Sequence, residues 1–277
     1  MEVTVLKDKI KNYLRMIKFS HSVFALPFAF TAAILAADGL PTIWQIFWIS
    51  IAMVGARSGA MGLNRVIDYK SDLANPRTRG REIPAGVVSK ASALLFSLIS
   101  LGVMVLAAKM LNPLCLALSP VAIAVLVLYS FAKRFTWGAH FVLGLAISAA
   151  PLGAWIAVTG TFDLKVIPLV LAVLLWLPGF DILYALQDRE FDRTFGLHSI
   201  PVSFGVQKSL KISRLLHLFG LGVVYWFGLG VVAVLFIYEH SLLKPHDLGK
   251  LDMAFFNMNG YISLTVFAFT FLEIVIF

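Results

Sequence analysis

Ile43-Trp-Gln-Ile-Phe-Trp-Ile-Ser-Ile-Ala-Met-Val-Gly-Ala-Arg57-Ser-Gly-Ala-Met-Gly-Leu-Asn64-Arg-Val-Ile-Asp68-Tyr-Lys-Ser-Asp72 is one unbroken stretch that changes character part-way. Its first part, near 43–63, is long and apolar enough to cross a hydrocarbon core as a helix, which takes about 20 residues. Helix continued past that point sets Asn64, Asp68 and Asp72 at i, i+4 and i+8, on one face. A membrane span therefore ends in three aligned oxygen donors.

Further apolar blocks lie on either side, near 20–37, 91–111, 114–132, 137–158, 166–186, 214–237 and 254–276. With 43–63 they predict eight spans. Of the 277 residues, 60% are hydrophobic and 14% charged, whereas soluble domains carry about 25% charge. The expected fold class is all-α, a polytopic membrane helical bundle forming a single integral-membrane domain over 1–277. A soluble binding module is excluded. Residues 1–18 are polar and basic and lack a signal-peptide pattern, so the first span itself is expected to direct insertion. Cys115 stands alone in an apolar block, which leaves no disulfide or CxxC site within one chain.

The charges give an orientation. With 1–18 on the cytoplasmic side, the polar loops 64–90 and 187–213 and the Lys133–Arg134 turn fall there too. Of the 23 Lys and Arg, only Lys109, Lys165, Lys244 and Lys250 then lie on the other side. This is the positive-inside pattern, and it accounts for the basic excess without nucleic acid. The two polar loops follow the second and sixth spans, as in membrane proteins built from duplicated halves.

The second loop repeats the first one's logic. In Asp181-Ile-Leu-Tyr184-Ala-Leu-Gln-Asp188-Arg-Glu-Phe-Asp192, the three aspartates share a helical face at offsets of seven and four, and Asp181 sits inside the apolar run. An ionisable residue within a span faces a bundle interior or a water-filled cavity. Hard cations such as Mg²⁺ take oxygen ligands and are commonly held by one or two carboxylates plus substrate phosphates. Two such faces at one membrane surface suit Mg²⁺ and a diphosphate, with Asn64, Asp68, Asp72, Asp188 and Asp192 as metal ligands. Arg77, Arg79, Arg81, Lys133 and Arg134 supply phosphate partners, and Arg57, seven residues before Asn64, points the same way. The six histidines show no HxxxH or HExxH spacing and predict no metal site. Glycines within spans, such as Gly220, Gly222, Gly228 and Gly230, are read as packing positions.

Asn64-Arg-x-x-Asp68-x-x-x-Asp72, Asn75-Pro-Arg-Thr-x-x-Arg81-x-x-Pro84-x-Gly86, Tyr129-x-x-x-Lys133 and Asp188-x-x-x-Asp192-Arg193 together resemble the UbiA superfamily of intramembrane aromatic prenyltransferases. The likeness runs from Ile17-Lys-Phe-Ser-His21 to Tyr238-Glu-His-Ser241 and is strongest to bacterial 4-hydroxybenzoate polyprenyltransferases. Prenyltransferases of the futalosine route to menaquinone, acting on 1,4-dihydroxy-6-naphthoate, share the motifs. The resemblance implies a ring of helices around a capped cavity with a lateral opening, in a bacterial cytoplasmic membrane with the site facing the cytoplasm. The implied reaction is Mg²⁺-dependent transfer from a polyprenyl diphosphate to an aromatic acid. Asp68, Asp72, Asp188, Asp192 and Asp181 would be catalytic; Asn64, Arg57, Lys133, Arg134, Tyr129, Arg81 and Tyr184 would bind substrates. No partner beyond substrates and membrane lipids is expected. The family usually has nine helices, whereas Ser213–Tyr238 has the apolar length for one crossing where two would stand. An ion-coupled transporter is the rival class, but it would spread ionisable residues along a path through the membrane. Here nearly all lie at one surface.

Overall fold

The computed structural model describes residues 2–18, 25–221, 226–242, 253 and 257–271. The start of the first expected span at 20–24, residues 222–225 of the seventh with Gly222, His21, His246, Lys244, Lys250 and the ends of the last expected span lie outside the described residues. All regular structure among the described residues is helical: α1 (Glu2–Met16), α2 (Leu26–Ala37), α3 (Ile43–Ile67), α4 (Tyr69–Ala74), α5 (Lys90–Leu111), α6 (Pro113–Ala132), α7 (Ala139–Thr159), α8 (Ile167–Ala185), α9 (Arg189–Phe195), α10 (Ile200–Leu221), α11 (Trp226–Leu242) and α12 (Met258–Phe271), with short 3₁₀ turns at Leu164–Val166 and Leu186–Asp188. Five helical runs are long and apolar enough to cross a membrane.

Local chemistry sets the boundaries. The Thr42 side chain accepts from the Gln45 amide while Gln45 caps the Thr42 amide in return, starting α3. Ser89 caps α5, and Asn112 caps α6 just before Pro113 at the first helical position. Gly160, at φ 71°, ends α7.

The burial pattern is that of a protein solvated by lipid. Leu94, Leu95, Leu98, Ile99, Val103 and Leu106 of α5 all face outward, while Ser97 and Ser100 on its other face are buried and donate to carbonyls one turn back. Small and hydroxyl residues thus make the helix interfaces, as expected where lipid removes the hydrophobic drive for helices to associate. At Gly55 of α3 the backbones come so close that an added Cβ would stand 2.8 Å from the Ser100 carbonyl. Around the ring, α3 packs on α5, α5 on α6, α6 on α7, α7 on α8, α8 on α10 and α11 on α12, and α12 closes the ring against α2.

Two expectations are corrected. The loops 64–90 and 187–213 are largely ordered helix and turn, carrying α4, α9 and the start of α10. Backbone bonds from Asp68 to Asn64 and from Asp72 to Asp68, both 2.8 Å, carry the helical register through the end of α3. The single crossing expected at 214–237 is divided between α10 and α11. Residues 206–213 read as polar loop because Gln207, Lys208 and Lys211 break the apolar run. Those side chains are exposed on α10, while Ser209, Ser213 and His217, at i, i+4 and i+8, are buried. The helix is amphipathic, and its buried face supplies the length that hydropathy alone omitted. Within α10, Gly205 at φ 76° breaks the helical geometry and kinks the helix.

Candidate active site

The C-terminal ends of α3, α6 and α8 meet over one cavity of about 660 Å³. Its walls are mostly apolar, from α3, α5, α6 and α7, and its mouth is polar. Asn64, Asp68, Asp72, Asp181, Asp188 and Asp192 all line it, as do Arg57, Arg77, Arg81, Tyr129, Lys133 and Tyr184. The run Leu164–Phe195 has 32 residues, or about 48 Å of helix against a hydrocarbon core of about 30 Å. A crossing of about 20 residues that ends near 186, as the sequence leads one to expect, leaves Asp188 and Asp192 beyond it, at the cavity mouth.

Each carboxylate near the mouth is matched by a cation or neighbours one. Lys133, at the end of α6, hydrogen-bonds Asp68, and Arg134 reaches the other Asp68 oxygen at 3.1 Å. Arg81 donates to Asp72 at 2.7 Å, and the buried Arg65 stands 4.0 Å from the second Asp72 oxygen, which has no hydrogen-bond partner. Arg77 holds both oxygens of Asp188 and donates to the Tyr184 hydroxyl at 3.2 Å. Asp68 and Asp72 are 2% and 5% exposed, and ionised carboxylates so enclosed require such partners. Asp192 differs: burial first, and then the Asp188 carboxylate, push its carboxyl up to about 6.

The two aspartate clusters are tied directly. Asn75 donates to Asp188 at 3.0 Å and accepts from the Arg77 amide at 2.9 Å, so the segment after α4 bridges to the end of α8. Deeper in, His140 of α7 bonds Asp181 through Nδ1 at 2.7 Å while its Nε2 accepts from the Ile200 amide at 3.3 Å. That pair of contacts selects the tautomer with the proton on Nδ1, so His140 donates and one Asp181 oxygen is left to the cavity.

Not every expected residue reaches the cavity. Arg134 lies behind Asp68, bonded to the Ser130 and Ile67 carbonyls at 2.7 and 3.0 Å, and is absent from the lining. Arg79 is exposed and also outside it, and Arg193 pairs with Glu190 at 2.8 Å. Asn75 and His140 were given no role from sequence. Asn75 stood within a quoted motif, whereas His140, 41 residues from Asp181, had no spacing signal.

The donor set suits a hard dication, being all carboxylate and amide oxygen, with one buried Asp72 oxygen unpartnered. No three of these aspartates bring ligand atoms within 4.8 Å of one another. A phosphate-bearing ligand would have to complete the coordination, which is the usual mode for Mg²⁺.

Residues 25–261 match the UbiA prenyltransferase family. The chain belongs to that family. This UbiA prenyltransferase is 30% identical over 276 residues to a 4-hydroxybenzoate octaprenyltransferase of Vibrio atlanticus (strain LGP32), covering 95% of this chain and 97% of the relative. It is 34% identical over 245 residues to one of Aeromonas salmonicida (strain A449), covering 84% of each. Among solved structures, a UbiA homolog from Aeropyrum pernix K1 superposes with a TM-score of 0.83 at 28% identity, over 92% of this chain and 98% of that one. A UbiA homolog from Archaeoglobus fulgidus bound to DMAPP and Mg²⁺ shares the fold, with a TM-score of 0.74 at 19% identity over 95% and 99% of the chains. The UbiA prenyltransferase described here is thus an integral-membrane polyprenyltransferase.

Proposed function

We propose that this UbiA prenyltransferase transfers a polyprenyl group from its diphosphate to the ring carbon ortho to the hydroxyl of 4-hydroxybenzoate, as a step of ubiquinone synthesis, using Mg²⁺ on the cytoplasmic face. The observation that carries the reading is the meeting of two aspartate pairs from separate helices, each beside a Lys or Arg, at the polar mouth of an apolar cavity. The naming of the curated relatives supports the acceptor.

Asp68, Asp72, Asp188 and Asp192, with Asn64 assisting, would hold Mg²⁺, which supplies Lewis-acid neutralisation of the departing diphosphate. With those carboxylates holding a metal, Lys133, Arg77 and Arg81 would be available to phosphate oxygens. Charge gathered at a preformed cationic site in a water-poor cavity is where electrostatic stabilisation is largest. Arg134, behind Asp68, positions that carboxylate. The allylic C1–O bond breaks as the ring carbon attacks C1. The apolar wall excludes water that would otherwise capture the cationic carbon. Arg57, whose Nε is buried without a partner, offers a site for the acceptor carboxylate. Tyr129 lies nearby on the wall, and Tyr184 is fixed by Arg77 beside the leaving group. Asp181, held by His140, accepts the ring proton on its cavity-facing oxygen.

Membranes containing the protein, given Mg²⁺ and a polyprenyl diphosphate, are expected to prenylate 4-hydroxybenzoate and to stop when EDTA removes the metal. Product from 1,4-dihydroxy-6-naphthoate and none from the benzoate would replace the acceptor and the pathway. Transfer that persists in EDTA would overturn the metal reading.

A further inference from the structure

Away from the cavity, the described residues bring a second set of metal-ligating side chains together inside the bundle. His217 of α10 and Glu239 and His240 of α11 each place a donor atom within 4.8 Å of the others. His217 Nδ1 stands 3.0 Å from His240 Nε2 and 3.8 Å from a Glu239 oxygen. None of the three lines the cavity. His217 is 2% exposed and Glu239 is 0%. The His217 ring packs against Phe180 and Phe236, with centroids 4.7 and 4.4 Å away. Gly179 of α8 has room for no side chain at this point, since an added Cβ would overlap the imidazole.

Neither Glu239 oxygen has a hydrogen-bond partner, and among the described residues no Lys or Arg forms an ion pair with it. Arg214, one turn before His217, is exposed and forms no ion pair with Glu239, although its charge lies near enough to act on His240. An acid enclosed in a membrane bundle without a partner must be neutralised by a proton or by a cation. A neutral carboxyl would be expected to donate to one of the imidazoles, yet at 3.8 Å the nearer nitrogen contact is too long for a hydrogen bond. Metal–donor bonds of about 2.0–2.2 Å at tetrahedral angles put donor atoms roughly 3.4 Å apart; two of the three pairs stand at 3.0 Å, which is also hydrogen-bond distance, and 3.8 Å, and all three donor atoms lie within 4.8 Å, close enough for one ion to gather.

We infer that His217, Glu239 and His240 are ligands of a divalent transition metal of the zinc class, in a structural site that fastens α11 to α10 and, through His217, to α8. Two imidazoles and one carboxylate favour such an ion over Mg²⁺, which the all-oxygen mouth of the cavity suits. The site lies where the link is needed, because α10 packs chiefly on α8 and only sparsely on α11. No local spacing announces it, as the two histidines are 23 residues apart and on different helices.

Co²⁺ is the probe, added to the full-length protein in detergent with Mg²⁺ in excess. One equivalent per chain is expected to give the intense visible bands of four-coordinate cobalt, a solvent ligand completing the three protein donors, and to be displaced by Zn²⁺. His217→Ala and Glu239→Gln should each lose the bands, whereas Asp68→Asn and Asp188→Asn should keep them. Zn²⁺ should raise the Tm of the wild type and leave that of Glu239→Gln unmoved. Weak octahedral bands only, no cobalt uptake by the wild type, or bands that survive His217→Ala and vanish in the aspartate variants would overturn the assignment. The wild-type spectrum decides without any variant having to fold.

Discussion

At the scale of single residues, the cavity mouth is a set of charges that neutralise one another. Asp68 and Asp188 are each the hub of their cluster, one held by Lys133 and Arg134 and the other by Arg77 and Asn75. Asp68→Ala and Asp188→Ala are each expected to lower kcat by about 100-fold or more, the scale on which removing one electrostatic stabiliser acts. Transfer assays on membranes with matched levels of inserted protein check this, and wild-type rates in either variant would sink the two-cluster mechanism. Asp192 gives a separate test. With its carboxyl pushed up to about 6, half of the molecules carry a proton there near pH 6 and almost none near pH 8. A metal ligand must be deprotonated, so Mg²⁺ binding with a diphosphate analogue should release about half a proton near pH 6 and close to none near pH 8. Calorimetry in buffers of differing ionisation enthalpy reads that release, after correction for the analogue's own protons, and equal values at both pH would remove Asp192 from the ligand set.

Elements decide whether those residues meet. The ends of α3 and α8 are brought together by the turn after α4, through Asn75, and not by a continuous surface of either helix. The packing of α3 on α5 at Gly55 fixes where α3 ends, so substitution there tests the scaffold. Gly55→Leu would drive side-chain atoms into the Ser100 carbonyl and the Met104 backbone, and overpacking of this kind destabilises by about 1–3 kcal/mol. A lower Tm in detergent is expected, with weakened transfer in the folded fraction. An unchanged Tm would show that the two helices separate easily there. Hydropathy located most elements within a few residues: expected blocks 91–111, 114–132 and 137–158 correspond to Lys90–Leu111, Pro113–Ala132 and Ala139–Thr159. It failed at α10, where an amphipathic helix buries serines and a histidine and shows polar residues outward. A period-3.6 pattern at Ser209, Ser213 and His217 was the signal that hydropathy averaging missed.

The molecule as a whole is a ring that opens its polar mouth at one end. From the Lys and Arg bias that end is expected to face the cytoplasm, and Arg79, exposed beside the mouth and outside its lining, is a place to test this. Cys115 is the one cysteine in the chain, so Arg79→Cys in a Cys115→Ala background carries a single reactive thiol. A membrane-impermeant maleimide should label it in inside-out vesicles and not in intact spheroplasts. The reverse pattern would invert the orientation and with it the side from which substrates come.

The sequence by itself determined the solvent, the class of fold and the two aspartate clusters, because hydropathy blocks and helical spacing are local properties that survive without neighbours. Tertiary structure alone decided the pairings. Lys133 lies 65 residues from Asp68, His140 lies 41 from Asp181, and Asn75 lies 113 from Asp188. No local period connects such residues, and only the packing of separate helices brings a charge to the group that neutralises it. The same reason hid His217, Glu239 and His240, whose ligand geometry exists only where α10 crosses α11.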